Sequence, residues 1–156
     1  MRRELLQNKD TSVRDFIANL TFIIEAVYSK NKRDPEMIGL RDKYSVARKE
    51  SPEKIIEITG PKIWKYRKPI SEGKVSFFLD NDFSEDIEEM QDSQSPQEPN
   101  SEKNRDLVEL LDRARKVWEI FSPTEQTVIV KKVQGLLQYY SCYLSADKKL
   151  RELEGS

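Results

Sequence analysis

The chain has 156 residues, enough for one domain or two very small ones, and 35% of its residues are charged. It contains no histidine and a single cysteine, Cys142. A histidine general base, a Cys/His zinc site, a histidine-ligated haem and an internal disulfide are therefore excluded. The five glycines stand apart from one another, so the sequence contains no glycine-rich phosphate loop.

The charged residues are distributed unevenly along the chain. Nine acidic and no basic residues lie between Val75 and Glu102, whereas the rest of the chain carries all 27 basic residues and the other 19 of the 28 acidic ones. The formal net charge of −1 thus conceals a basic body and an acidic tract.

The apolar runs are too short for a signal peptide or for a membrane span. A lone cysteine fits a reducing compartment. We therefore expect an intracellular protein of the cytoplasm or nucleus, with no membrane partner.

The first half of the chain reads as a series of helices. Residues 1–9 are polar and expected to fray, and a first helix is predicted from Thr11, with Thr11 or Ser12 as its N-cap. The apolar residues of that helix share one face: Val13, Phe16, Ile17, Leu20, Ile23, Ile24 and Val27. Asp34–Pro35 predicts the start of a second helix, which extends to about Lys49.

A cap followed by proline, Ser51–Pro52, predicts a third helix, which Gly60–Pro61 is expected to stop. One further turn is expected to end before Pro69, because the residue preceding a proline disfavours helix. An extended or short helical apolar segment is expected at 75–79. Residues 91–103 contain no apolar residue, which predicts a disordered linker.

The last third of the chain predicts a helical hairpin. A helix is expected from Asn104 to Phe121, and Ser122–Pro123–Thr124–Glu125 is the sequence signature of a capping box that opens the next helix. Ser145 is expected to cap a separate, weakly held helix over 146–153. A two-helix unit of this size buries too little area to fold alone, so the hairpin must pack on other residues.

The predicted fold is therefore a single small all-α domain of five to six helices with a disordered acidic internal loop. An N-terminal helical cluster, 1–90, ends in the acidic tract. The linker follows at 91–103, and the hairpin at 104–156 packs on the cluster.

No catalytic, cofactor or metal site is expected from the sequence. Asp80 opens a segment that resembles a calcium loop, but its sixth residue is Glu85 instead of glycine and its twelfth is Gln91 instead of glutamate. Cys142 lies beside an apolar stripe and is interpreted as a small buried residue. No spacing selects a pair of carboxylates, and we predict a protein that is not an enzyme.

Two sets of residues are candidate binding surfaces. Aromatic and basic residues alternate in Lys62, Trp64, Lys65, Tyr66, Arg67 and Lys68, a composition that can stack on bases and contact phosphates. The competing interpretation places Trp64 in the core with the cations around it. The second set is a partner-binding surface formed by the aromatic residues Trp118, Phe121, Tyr139 and Tyr143.

The order of these features resembles that of small α-helical proteins of nucleocytoplasmic large DNA viruses, to which no activity is assigned. The resemblance rests on residues 15–20, 51–56, 77–83 and 121–124, and on the aromatic residues of 139–143. It implies a viral, infected-cell setting and a role other than catalysis. Two functions are therefore predicted: a protein–protein interaction or assembly module, which binds another protein or itself, or a nucleic-acid-binding accessory protein regulated by its acidic loop.

Overall fold

The structure, a computed structural model, describes residues 1–73, 110 and 112–155. All regular elements within these residues are helical, which confirms the predicted all-α class over this part of the chain. The helices are α1 (Arg2–Ser29), α2 (Pro35–Glu50), α3 (Pro52–Lys65), α4 (Arg67–Ser71), a helical stretch at 112–117 that continues into a 3₁₀ turn (Trp118–Ile120), and α5 (Pro123–Glu154). The apolar segment at 75–79, the acidic loop and the linker lie outside the described residues.

The two longest helices, α1 with 28 residues and α5 with 32, run antiparallel along each other. Contacts at both ends and in the middle define this direction: Arg2–Glu154, Lys9–Asp147, Asn19–Lys132 and Lys30–Glu125. The pair is the axis on which the other helices pack.

One hydrophobic core joins the N-terminal helices with α5 and the helical stretch before it. All seven residues of the predicted apolar stripe of α1 are buried in it. The largest fully buried side chains come from four different helices: Phe16, Val27, Met37, Ile56 and Ile70. Residues of the predicted hairpin therefore share a core with the predicted N-terminal cluster.

The first helix begins at Arg2, so the predictions of frayed residues 1–9 and of an N-cap at Thr11 or Ser12 were wrong. Ser12 is buried, and its hydroxyl donates to the carbonyl oxygen of Asn8 one turn earlier, as a serine inside a helix does. The first turns of α1 are stabilised by the last turns of α5, where Lys9 pairs with Asp147. That support is tertiary and invisible in local sequence.

The last helix also extends further than predicted. Helix α5 runs without interruption to Glu154, so the separate helix capped by Ser145 was wrong. Ala146 and Leu150 are buried and continue the stripe of Tyr143 along α1. Continued burial of this stripe outweighs the weak tendency of serine to end a helix.

The predicted stop at Gly60–Pro61 was wrong as well, because α3 continues to Lys65 with Pro61 inside it. Thr59, Gly60 and Ile63 are buried, so the helix is held on both sides of the proline by packing. Pro69 is likewise within a helix, in the first turn of α4, where a missing N–H costs no intrahelical hydrogen bond.

The predicted start of α2 and the predicted capping box of α5 are confirmed. The Asp34 carboxylate accepts from the N–H of Glu36 at 3.0 Å, and Pro35 takes the first helical position. The Ser122 hydroxyl accepts from the N–H of Glu125 at 3.1 Å, while the Glu125 carboxylate accepts from the N–H of Ser122 at 2.9 Å. Ser51 precedes α3 as predicted, but its side chain makes no capping hydrogen bond.

Candidate interaction surfaces

An open groove of about 780 Å³ lies between α1, α2 and α3. We name it the α2 groove. Its apolar lining comes from all three helices and from Leu110: Leu20, Ile24, Leu40, Tyr44, Ala47, Ile55 and Ile58. Its rim carries Val46 and the charged residues Asp42, Lys43, Glu50 and Lys54.

The groove exists because α2 is buried only in its first turns. Met37 and Leu40 are its only buried residues, and further along the helix Val46 is 55% exposed. Polar contacts hold the rest of α2 on α1: Arg41 pairs with Glu25 at 2.7 Å, and the Tyr44 hydroxyl donates to the carbonyl oxygen of Ile17. The apolar residues of its second half are thus left partly uncovered.

The main polar group lining the groove is already bonded within the protein. The Tyr44 hydroxyl donates to the carbonyl oxygen of Ile17 at 3.1 Å and lies 2.8 Å from the hydroxyl of Thr21. Burial raises the pKa of Tyr44, so this hydroxyl stays protonated at neutral pH. The groove therefore offers a ring and aliphatic side chains to a ligand, with charges of both signs at its rim.

The predicted nucleic-acid patch is divided by the structure. Trp64 is half-buried, with its ring edge packed on Tyr140 at 6.0 Å between centroids, and the Arg67 guanidinium lies 5.2 Å from the Trp64 ring centre. The Trp64 ring thus packs partly in the core with a cation beside it, and its role in binding nucleic acid stays a prediction. Trp64, Arg67 and Lys68 line one shallow cavity, whereas Lys62, Lys65 and Tyr66 do not line it.

The four aromatic residues of the predicted partner surface are not brought together. Phe121 and Tyr143 are core residues, each 4% exposed, and 22 positions of mostly helical chain separate them. Trp118 is half-buried and packs edge-on against Phe121 at 6.2 Å. Tyr139 is half-buried and lines a different cavity. Large apolar residues with greater exposure were not part of this predicted set, among them Ile120, 61% exposed, and Phe22, 42% exposed.

Two shallow cavities of about 540 and 460 Å³ flank one face of α5 and share Gln134 and Gln138. The first also contains Arg67 and Lys68, and the second contains Lys131 and Lys132. We name these six residues the glutamine ridge. No acidic residue lines either cavity among the residues that the structure describes. Sequence reasoning had not marked the four α5 residues of the ridge, because nothing in their local pattern distinguishes them from an ordinary solvated helix face.

A cluster of charged groups joins the N-terminal turns of α1 and α3 to the last third of α5. Lys9 lies 3.1 Å from both Glu53 and Asp147, and the Tyr143 hydroxyl donates to Glu57 at 3.2 Å. Burial and the two nearby glutamates raise the pKa of Tyr143. These groups satisfy one another and hold three helices together.

No group of three or more acidic or cysteine side chains in the described part of the chain is placed to hold a metal ion. Cys142 is exposed, so its interpretation as a buried residue was wrong. Its helix turns this position away from the core, since the buried positions of that turn are Tyr140 and Tyr143. Among the described helices there is none with the length and apolar content needed to cross a bilayer.

Comparison of the chain with protein-family models, with curated proteins and with solved structures finds no match. The resemblance to helical proteins of large DNA viruses therefore stays a prediction.

Proposed function

We propose that the protein is a non-enzymatic interaction module that binds an amphipathic helix of another protein in the α2 groove. The observation that carries this proposal is the groove between α1, α2 and α3, where the apolar residues Tyr44, Val46, Ala47 and Ile58 are partly exposed. A contiguous apolar surface with a charged rim is characteristic of protein interaction sites.

A helix is the favoured occupant because one helical residue of this chain already reaches the groove. Leu110 has helical backbone conformation, is 6% exposed and lines the groove together with residues of α1, α2 and α3. From Leu40 to Glu50 the groove follows α2 for about 15 Å, or roughly three helical turns. An amphipathic helix would place residues at three- and four-residue spacing along this length.

The charges at the rim suit a polypeptide better than a polyanion. Asp42 and Glu50 alternate with Lys43 and Lys54, so the rim has no single sign. The flanking charges of an amphipathic helix can complement both signs, whereas a chain of phosphates would meet two carboxylates.

The proposal is tested by selecting displayed helical peptides on the full-length chain. The library contains peptides of about four turns with apolar residues at three- and four-residue spacing and randomised charges. We expect binders to be enriched and to lose about tenfold or more in affinity on Val46→Glu, because a buried unpaired charge opposes binding. Val46 is 55% exposed, so this variant folds.

The matched control is Ile38→Glu on the same helix, because Ile38 is 38% exposed but does not line the groove. Its affinity for the selected peptides should stay within about twofold of the wild-type value. A library that yields no binders, or binders equally tolerant of both variants, would overturn the proposal. Light scattering that finds a dimer which Val46→Glu dissociates would assign the groove to a second copy of this chain instead.

A further inference from the structure

Four cations of the glutamine ridge border two cavities that share residues of α5. Arg67, Lys68, Lys131 and Lys132 form no ion pair with any described residue, and no acidic residue lines the two cavities that they border. Lys9, by contrast, is bonded to carboxylates of two neighbouring helices. Cations that lie close together without counter-charges repel one another. They attract an anionic ligand, because its binding relieves this repulsion.

Flat surfaces accompany the cations on both sides of the ridge. On one side, Arg67 donates to the carbonyl oxygen of Trp64 at 3.0 Å, which holds its guanidinium over the indole ring. On the other side, Lys132 lies 5.0 Å from the ring centre of Phe22, and Tyr139 lines the cavity. Aromatic rings and guanidinium planes are the groups on which unpaired bases stack.

The two glutamines between the cavities add hydrogen-bonding groups. Gln134 donates its amide N–H to the carbonyl oxygen of Ile70 at 3.1 Å, which fixes the side chain and leaves its amide oxygen as an acceptor. Gln138 is exposed and has both a donor and an acceptor. Amides of this kind hydrogen-bond to base edges and sugars without adding charge.

We propose that the glutamine ridge binds a single strand of nucleic acid that crosses α5, with phosphates on the Arg67–Lys68 and Lys131–Lys132 sides and bases against the aromatic residues. A flexible strand can follow a helix ridge into the cavities on both sides, whereas a rigid duplex would contact one side only. This site lies apart from the α2 groove, so it concerns a second activity of the chain.

The proposal is tested by fluorescence anisotropy of labelled oligothymidylate with the full-length protein. If the four cations neutralise four phosphates, the affinity should fall about 50-fold between 50 and 200 mM salt. This follows from a slope of log affinity against log salt of about −0.7 for each phosphate contact of a single strand. Replacing one cationic side, Arg67→Gln with Lys68→Gln, should leave about two contacts and reduce this fall to about sevenfold. An abasic strand of equal length should bind about tenfold or more weakly, because stacking is lost.

The matched control is Lys148→Gln with Lys149→Gln, which removes two exposed lysines from the same helix outside both cavities. This control should keep the wild-type salt slope. If the control loses as much affinity and salt dependence as the ridge variant, net charge alone governs binding, and the proposed site is wrong. If the abasic strand binds as tightly as oligothymidylate, the ligand is a polyanion of any kind and the bases are not recognised. If polyglutamate binds as tightly, the ligand is an acidic protein, and either result overturns the proposal.

The acidic tract requires one further variant. Its first residue, Asp80, follows Ser71 of the ridge cavity by only nine positions, so the tract could compete with a nucleic acid for the same cations. If the wild-type chain binds no oligothymidylate at 50 mM salt, a variant with a neutralised acidic tract should bind it. This variant replaces aspartate by asparagine and glutamate by glutamine at Asp80, Asp82, Glu85, Asp86, Glu88 and Glu89. Adding Arg67→Gln and Lys68→Gln to it should abolish that binding. Absence of binding in both chains overturns the proposal, whereas Val46→Glu should leave binding by either chain unchanged.

Discussion

Helices α2 and α5 both present apolar residues at three- and four-residue spacing, but the protein holds them in different ways. Seven residues of α5 are buried, among them Leu136 and Tyr140, and the helix lies along α1 over most of its length. Helix α2 buries two residues and is otherwise held by ion pairs and by the Tyr44 hydroxyl. Burial closes a surface, whereas polar attachment can position a helix and leave its apolar side accessible.

The largest expected effect contrasts a core residue of α5 with an exposed residue of α2. Leu136→Ala should cost about 2–5 kcal/mol of unfolding free energy, because Leu136 is 2% exposed and the shorter side chain leaves a cavity in the core. Val46→Ala should change the unfolding free energy by less than about 0.5 kcal/mol. Urea denaturation of both variants provides the measurement. Similar costs for the two would mean that the α2 groove is covered in solution.

Two glycines sharpen the same contrast. A Cβ on Gly60 would overlap Cε1 of the buried Tyr140 ring on α5, whereas a Cβ on Gly39 of α2 would meet no atom within 4 Å. Gly60→Ala should therefore destabilise the protein by about 1–3 kcal/mol through overpacking. Gly39→Ala should stabilise the protein by about 0.5–1 kcal/mol, because alanine reduces the backbone freedom of the unfolded chain and meets no atom in the folded one.

Thermal or urea unfolding of the two alanine variants distinguishes these outcomes by sign as well as by size. Stabilisation of both variants would show that Tyr140 moves aside without cost. Destabilisation by Gly39→Ala would show that α2 packs more closely than its exposed residues indicate.

The smallest expected effect concerns pH and the attachment of α5 to α3. Because the folded-state pKa of Tyr143 is raised, its contribution to stability is complete below the ordinary tyrosine pKa of about 10 and decreases as pH rises above that value. Tyr143→Phe should therefore lose less stability than wild type between pH 8 and pH 10.5. Urea midpoints at the two pH values give the comparison, and equal losses in the two proteins would contradict the assigned cause.

Part of the candidate surfaces could be read from the sequence. Trp64, Arg67, Lys68 and Tyr139 were selected by composition, and they line the two cavities beside α5. The partners that complete the ridge were missed, because whether a lysine on a helix face is paired depends on what another helix places next to it. The α2 groove was missed for a similar reason. The spacing of the apolar residues in α2 predicts an apolar face, but it does not show how much of that face a neighbouring helix covers.

The sequence by itself determined the helical class, the apolar face of α1 and the starts of α2 and α5. These depend on groups within about one helical turn: Asp34 bonds two residues ahead, and Ser122 and Glu125 bond each other across three. Tertiary structure decided where α1 begins, that α3 continues through Pro61, and that α5 passes Ser145 without a break. In each case burial against a helix distant in sequence supplies more free energy than the local preference to end or to fray, so the boundary follows the packing.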